Sequence, residues 1–189
     1  MDKTYSPSAT KIFPIIDLGD FILREQQDQD VANFFKYYTD PEVNKYILTE
    51  VPQSLEDARR ELYYWRNIFY NNDGIYFAIA DKKNDAMIGS IGFSSHNNYH
   101  NRIELSYDMA QKFWRRGIMT KAVREVLRYG FMVLRVNRIE AVTSIYNEAS
   151  VRLLEKCGFK YEGCLRQHRF HRGKLVDVYM FSVLREEFL

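Results

Sequence analysis

The residue types and spacing that could do chemistry are concentrated in residues 104–120, ELSYDMAQKFWRRGIMT. The first half reads as a strand. Arg115, Arg116 and Gly117 form a short loop, and a helix follows at once. A helix start presents backbone N–H groups without intrahelical partners, at the positive end of the helix dipole. Glycine lets another group come close to the backbone. Two arginines add permanent positive charge with bidentate geometry. Together these features make a site for an anion of the phosphate or pyrophosphate kind. The same residues would also serve as a basic loop ahead of an ordinary surface helix.

A second feature lies further along. Residues 138–146 read as the strand after the long helix, and Asn147-Glu148-Ala149-Ser150 opens another helix with Asn147 as a good N-cap. Asn147 could do no more than cap, and Ser150 could be a plain first-turn residue. The arginine-glycine loop and the Asn147 cap are expected at the C-terminal ends of adjacent parallel strands, where open α/β sheets bind ligands. Other phosphate motifs are missing: the sequence has no GxGxxG after a strand and no GxxxxGK[ST]. His96, His100, His168 and His171 lack cysteines or carboxylates at ligand spacing, so no metal is expected. Cys157 and Cys164 have no His/Asp frame around them and read as reduced packing residues rather than nucleophiles.

The elements that must position these residues follow from periodicity. Residues 13–26 read as extended, with 20–24 the clearest strand. Val31, Phe34, Phe35 and Tyr38 have helical spacing, broken at Asp40-Pro41. A short helix through Tyr46 follows. A strong helix then begins at Ser54, where Ser54 and Asp57 resemble a capping box and Leu55, Ala58, Leu62, Trp65 and Phe69 form the apolar stripe. Residues 75–80, 87–93 and 103–109 read as strands joined by hairpins. Residues 117–134 form a long helix with Ala122, Val126, Tyr129 and Val133 on one face. A short helix ends at Gly158, and two last strands flank Arg172-Gly173-Lys174. This order predicts an α/β (α+β) fold with a partly antiparallel sheet, not an alternating Rossmann fold.

The 189 residues suit one domain, 13–189, behind a polar arm, 1–12. With 46% hydrophobic and 28% charged residues the chain is not disordered. A net charge of +2 argues against nucleic acid as the main partner. No apolar run approaches the roughly 20 residues of a membrane span, and the N-terminus has no secretory core, so neither a membrane nor export is expected. The location expected is cytoplasmic.

In combination, WRRGIMTKA, NRIEAVTSIYNEASVRLLEKCGFKYEG and RGKLVDVYMFSVLREEF resemble the GNAT superfamily of acyl-CoA N-acyltransferases, and within it the branch of ribosomal-protein N-alpha-acetyltransferases. The resemblance covers roughly residues 17 to 188. It implies a mixed, mostly antiparallel, splayed sheet flanked by helices. It also implies acetyl transfer from acetyl-CoA, without a metal, to a primary amine in a ternary complex. The backbone of Tyr107, Asp108 and Met109 would pair with the pantetheine arm. The amides of Arg115, Arg116, Gly117, Ile118, Met119 and Thr120 would hold the pyrophosphate. Asn147 would bond the pantetheine or shape its slot, and Ser150 would protonate the departing thiolate. Trp114 and Met119 depart from the usual loop pattern, Met119 adding bulk; Tyr146 and Tyr161 are loose alternatives as the acid. Glu104 is the candidate base, directly or through water, unless it merely pairs with Arg102 or another neighbour. The acceptor expected first is a protein N-terminal α-amine. Rivals are a small amine, which an acidic pocket would favour, and a noncatalytic acyl-CoA-binding module. A homodimer is carried as an expectation.

Overall fold

The computed structural model describes residues 11–188. Residues 1–10 of the expected N-terminal arm lie outside the described residues. The chain runs β1 (Ile16–Asp17), β2 (Phe21–Arg24), a 3-10 turn (Asp28–Asp30), α1 (Val31–Tyr38), α2 (Pro41–Asn44), α3 (Leu55–Tyr70), β3 (Ile75–Asp81), β4 (Met87–Asn97) and β5 (Arg102–Met109). After a second 3-10 turn (Gln111–Phe113) come α4 (Ile118–Met132), β6 (Arg138–Ser144), α5 (Glu148–Lys156), β7 (Lys160–His171), β8 (Lys174–Leu184) and α6 (Arg185–Phe188). The strands form one eight-stranded sheet in the order β1-β2-β3-β4-β5-β6-β8-β7. Every neighbouring pair is antiparallel except β5 and β6.

Local chemistry explains the boundaries. The Ser54 hydroxyl accepts from the Asp57 N–H at 3.1 Å and donates to its carboxylate at 2.8 Å, which fixes the start of α3. Asp40 caps α2 through the Glu42 N–H, with Pro41 in the first turn where no N–H is needed. Asn147 Oδ1 accepts from the Ser150 N–H at 3.1 Å and starts α5. Strand β3 is buried from Ile75 to Ala80 because helices cover both sheet faces, which is why it reads as an unbroken apolar run.

Two cores result. On one face, α4 and α5 bury Ala122, Val126, Leu127, Phe131 and Leu154 against Phe77, Ile91, Phe93, Ile103 and Leu105. On the other, α1 and α3 bury Phe34, Tyr37, Tyr38, Leu62 and Trp65 against Tyr76 and Ala78. Two members of the predicted stripes lie outside them. Leu55 opens α3 one turn before the helix reaches the sheet, and Val133 sits past the last turn of α4; both are exposed.

Candidate active site

The parallel pairing of β5 with β6 is brief. It joins Arg102 to Arg138, Ile103 to Ile139 and Glu104 to Glu140, and then stops. Beyond that point β5 stays with β4 as far as Met109 opposite Gly89, and β6 stays with β8 as far as Ser144 opposite Val178. Each strand follows its outer neighbour, so a wedge opens between them toward their C-terminal ends. The Ala110 N–H donates to Ile88 O on β4. Strand alternation therefore turns the peptide groups of Tyr107 and Met109 toward the wedge and that of Asp108 toward β4. The Met109 carbonyl accepts from the Trp114 indole N–H at 2.7 Å, which folds the following loop across the wedge's mouth.

In that loop Arg115 and Gly117 both have left-handed backbones, with φ of 59° and 74°. Alternating backbone hands turn successive N–H groups toward one point, an anion-binding concavity. Gly117 is the N-cap of α4 and no side chain caps this helix, so its first N–H groups have no side-chain partner. A Cβ on Gly117 would meet nothing within 4 Å. Ile118 and Met119 are buried in the core beneath α4, so the bulk of Met119 points away from the loop. Arg115 and Arg116 are exposed, and Arg116 lies 5.4 Å from the Phe113 ring centroid. Thr120 is half-buried.

Across the wedge, Asn147 and Ser150 stand at the end of β6. Ser150 is buried, and its hydroxyl lies 2.7 Å from the Tyr107 phenol oxygen. This pair spans the wedge between α5 and β5. Burial raises the Tyr107 phenol well above its ordinary value, so it stays protonated and can pass a proton along. Strand alternation places Tyr107 on the α5 face, but its partner could be found only once α5 was in place. Tyr146 and Tyr161 are exposed; Tyr161 packs against Tyr179 and Phe181 at the β7–β8 edge, away from the wedge.

The other face of β5 carries Glu104, Ser106 and Asp108. Arg102 pairs with Glu140 rather than with Glu104. Glu104 Oε1 instead accepts from Arg169 Nη2 of β7 at 2.6 Å. Asp108 accepts from the Tyr37 hydroxyl and from Ser90 Oγ, each at 2.7 Å. Burial pushes its carboxyl up to about 6 despite these hydrogen bonds. Arg172 Nη2, in the β7–β8 turn, donates to Asn44 Oδ1 at the end of α2 at 2.6 Å and ties the hairpin to that helix. Sequence reasoning placed Asp108 by its backbone alone. The role of its side chain depends on α1, seventy-one residues away.

Among the described residues no helix is long and apolar enough to cross a membrane. The model of the "Acetyltransferase (GNAT) domain" family matches residues 20–160, which include the wedge, the loop and both candidate helix starts. Over 174 residues the chain is 34% identical to "Uncharacterized N-acetyltransferase YoaA" of Bacillus subtilis (strain 168), covering 92% of this chain and 98% of that one. The fold is that of ribosomal-protein-S5-alanine acetyltransferase from Vibrio fischeri, with TM-score 0.81 and 19% identity over 93% of this chain and 99% of that one. It is also that of spermidine N-acetyltransferase from Vibrio cholerae, solved with CoA and spermine, with TM-score 0.77 and 23% identity over 89% of this chain and 98% of that one. A family match over residues 20–160 and a relative one-third identical along nearly all its length lead to one conclusion: this chain belongs to the GNAT family and is an N-acetyltransferase.

Proposed function

We propose that this protein transfers the acetyl group of acetyl-CoA to the α-amine of a protein N-terminus. The observation that carries the reading is the coincidence of the β5–β6 wedge with the left-handed Arg115–Gly117 loop at its mouth. The residues fit that cosubstrate. The uncapped α4 amides from Gly117 to Thr120 and the Arg115 and Arg116 guanidiniums suit a diphosphate. The wedge-facing peptide groups of Tyr107 and Met109 suit an amide-bearing arm laid alongside like a strand. Asn147 borders the slot, its Oδ1 already engaged in capping α5, which leaves its amide N–H₂ to donate. Acetyl-CoA supplies an activated acyl group as a thioester; the protein holds it, orients the amine and moves protons.

The acceptor must reach the thioester as a neutral amine. At pH 7 roughly a tenth of an α-amine with pKa about 7.7–8.0 is neutral, against far below a hundredth of a lysine. A modest base is enough for an N-terminus, and the sequence points to Glu104, directly or through water. The Ser150–Tyr107 hydroxyl pair, beside the wedge, would protonate the leaving thiolate. A thiol near 8–9 needs only modest help to leave.

A small cationic amine is the second reading. Glu61 and Asp108, both raised by burial, stand among Tyr38, Trp65 and Tyr76 on the acceptor side. Carboxylates among aromatic rings suit a compact cation. The acetyl-CoA requirement and the free thiols Cys157 and Cys164 support a cytoplasmic location. A thiol-release screen with acetyl-CoA against N-terminal peptides, polyamines and aminoglycosides tests the reading. Release with none of them refutes acetyl transfer to these amines, and release with polyamines alone refutes the N-terminal acceptor.

A further inference from the structure

We infer that Asp108 receives the acceptor's ammonium group and takes its proton before attack. The inference rests on the acetyl-transfer reading above and replaces Glu104 in that step. Carboxylates drawn out of water are normally paired with a cation, and this protein follows the rule at three other places. Asp30 is bonded to Arg24 at 2.8 Å, Glu140 to Arg138 at 2.8 Å and Glu104 to Arg169 at 2.6 Å. The Asp108 carboxylate is met by the Tyr37 and Ser90 hydroxyls and, among the described residues, by no lysine or arginine. The fold has taken two carboxylates largely out of water without supplying a cation, Asp108 and Glu61 of α3, and of these Asp108 stands on the strand beside the wedge. In an enzyme whose acceptor arrives as an ammonium ion, that cation is the substrate.

Position supports the assignment. Asp108 lies on β5 beyond the end of the β5–β6 pairing, beside the wedge, and faces α1 rather than the α4–α5 core. Glu104 is on the same face but sits where the strands are still paired. Four residues along a strand separate the two by roughly 13 Å, so one amine cannot reach both. Glu104 also has a resident guanidinium on its Oε1.

The groups facing Asp108 are Tyr37 and Tyr38 from α1, Glu61 from α3, Tyr76 from β3, Ser90 from β4 and Glu104 further along β5. Burial holds all three phenols above their ordinary value, Tyr76 at about 12, so they stay neutral in any ordinary assay. Glu61 raises Asp108 by its charge, while the Tyr37 and Ser90 hydrogen bonds lower it. Burial outweighs those bonds, and a carboxyl near 6 is a stronger base than an ordinary one.

The step balances. One proton passes from R–NH₃⁺ to a carboxylate oxygen of Asp108, leaving a neutral amine and a carboxylic acid. Nitrogen then bonds the thioester carbonyl carbon, the C–S bond breaks, and a second nitrogen proton ends on the departing thiolate. Asp108 releases its proton to solvent before the next turnover.

The test follows thiol release from acetyl-CoA between pH 5 and 9, with spermidine and with a hexapeptide bearing a free N-terminal alanine. Asp108→Asn keeps the shape and two hydrogen-bonding atoms but cannot take the proton. With whichever acceptor the wild type uses, its kcat should fall about 10²–10⁴-fold and the acid limb near pH 6 should vanish. Its acetyl-CoA Kd by calorimetry should stay within about twofold, because one site is altered and the other is not. Tyr37→Phe removes a hydrogen bond that lowers the carboxyl, so the acid limb should move to higher pH. An Asp108→Asn enzyme whose acid limb persists, or whose activity falls equally at every pH alongside its melting temperature, overturns the assignment. A wild type that releases thiol with neither acceptor overturns both acceptor readings above, and this inference with them.

Discussion

Replacing Gly117 by valine separates the loop's ligand role from its structural one. The residue has φ of +74°, where a side chain is strained, but a Cβ would meet nothing within 4 Å. The fold should therefore lose only the left-handed penalty, about 1–2 kcal/mol. For a chain of this size that is a fall in Tm of about 2–8 °C. The binding loss should be larger. A branched side chain would stand where a phosphate oxygen approaches the Gly117–Thr120 amides. Displacing one charge-assisted hydrogen bond costs about 1.5–3 kcal/mol, or about a 10- to 150-fold rise in the Kd for acetyl-CoA. Gly173 supplies the control. Its φ is +78° and a Cβ there also meets nothing within 4 Å, but it lies in the β7–β8 turn. Gly173→Val should show the same small Tm loss with unchanged acetyl-CoA affinity. Isothermal titration of both variants, each checked by thermal melting, decides the matter. Equal affinities for wild type and Gly117→Val would falsify the placement of the diphosphate at this loop.

Three further outcomes are expected. Glu104→Gln should lower turnover by loosening the contact with Arg169, while the acid limb and acetyl-CoA affinity stay as in wild type. A pH–rate series in which the limb disappears returns the proton-accepting role to Glu104 and takes it from Asp108. Ser150→Ala should lower kcat about 3- to 30-fold, because the leaving thiol is a good leaving group and Tyr107 remains; an unchanged kcat removes the hydroxyl pair from the proton path. Glu162 is held down to about 2 by Arg138 and Ser182, below its ordinary 4.5. Its contribution to stability is thus present above about 4.5 and lost as pH falls toward 2. Melting curves should show a steeper decline across that window for wild type than for Glu162→Gln, and parallel declines exclude the pair as a source of acid sensitivity.

Much of this architecture was legible as pattern. The switch from period 3.6 in residues 55–70 to apolar runs at 75–80 and 87–93 marks the meander. Ser54, Asp40-Pro41 and Asn147 mark helix starts by local chemistry that works over two or three residues. Gly117 ahead of an amphipathic helix marks the proposed anion site in the same way. These signals are local because capping, turn formation and amphipathic burial depend on neighbours within a turn or a strand repeat.

What the sequence by itself determined was therefore the elements, their order and the residues able to bind a phosphate or move a proton. Which of those residues act on one another was decided by the tertiary structure. The Ser150–Tyr107 contact joins α5 to β5, Arg169 reaches Glu104 from β7, and Tyr37 covers Asp108 from α1. Each pair spans tens of residues with no periodic signal. A carboxylate's solvation and partners depend on what packs over it, and only the closed fold sets them. Asp108 reads as one polar position on a strand; half-buried beneath α1 without a cation, it is the base proposed for the reaction.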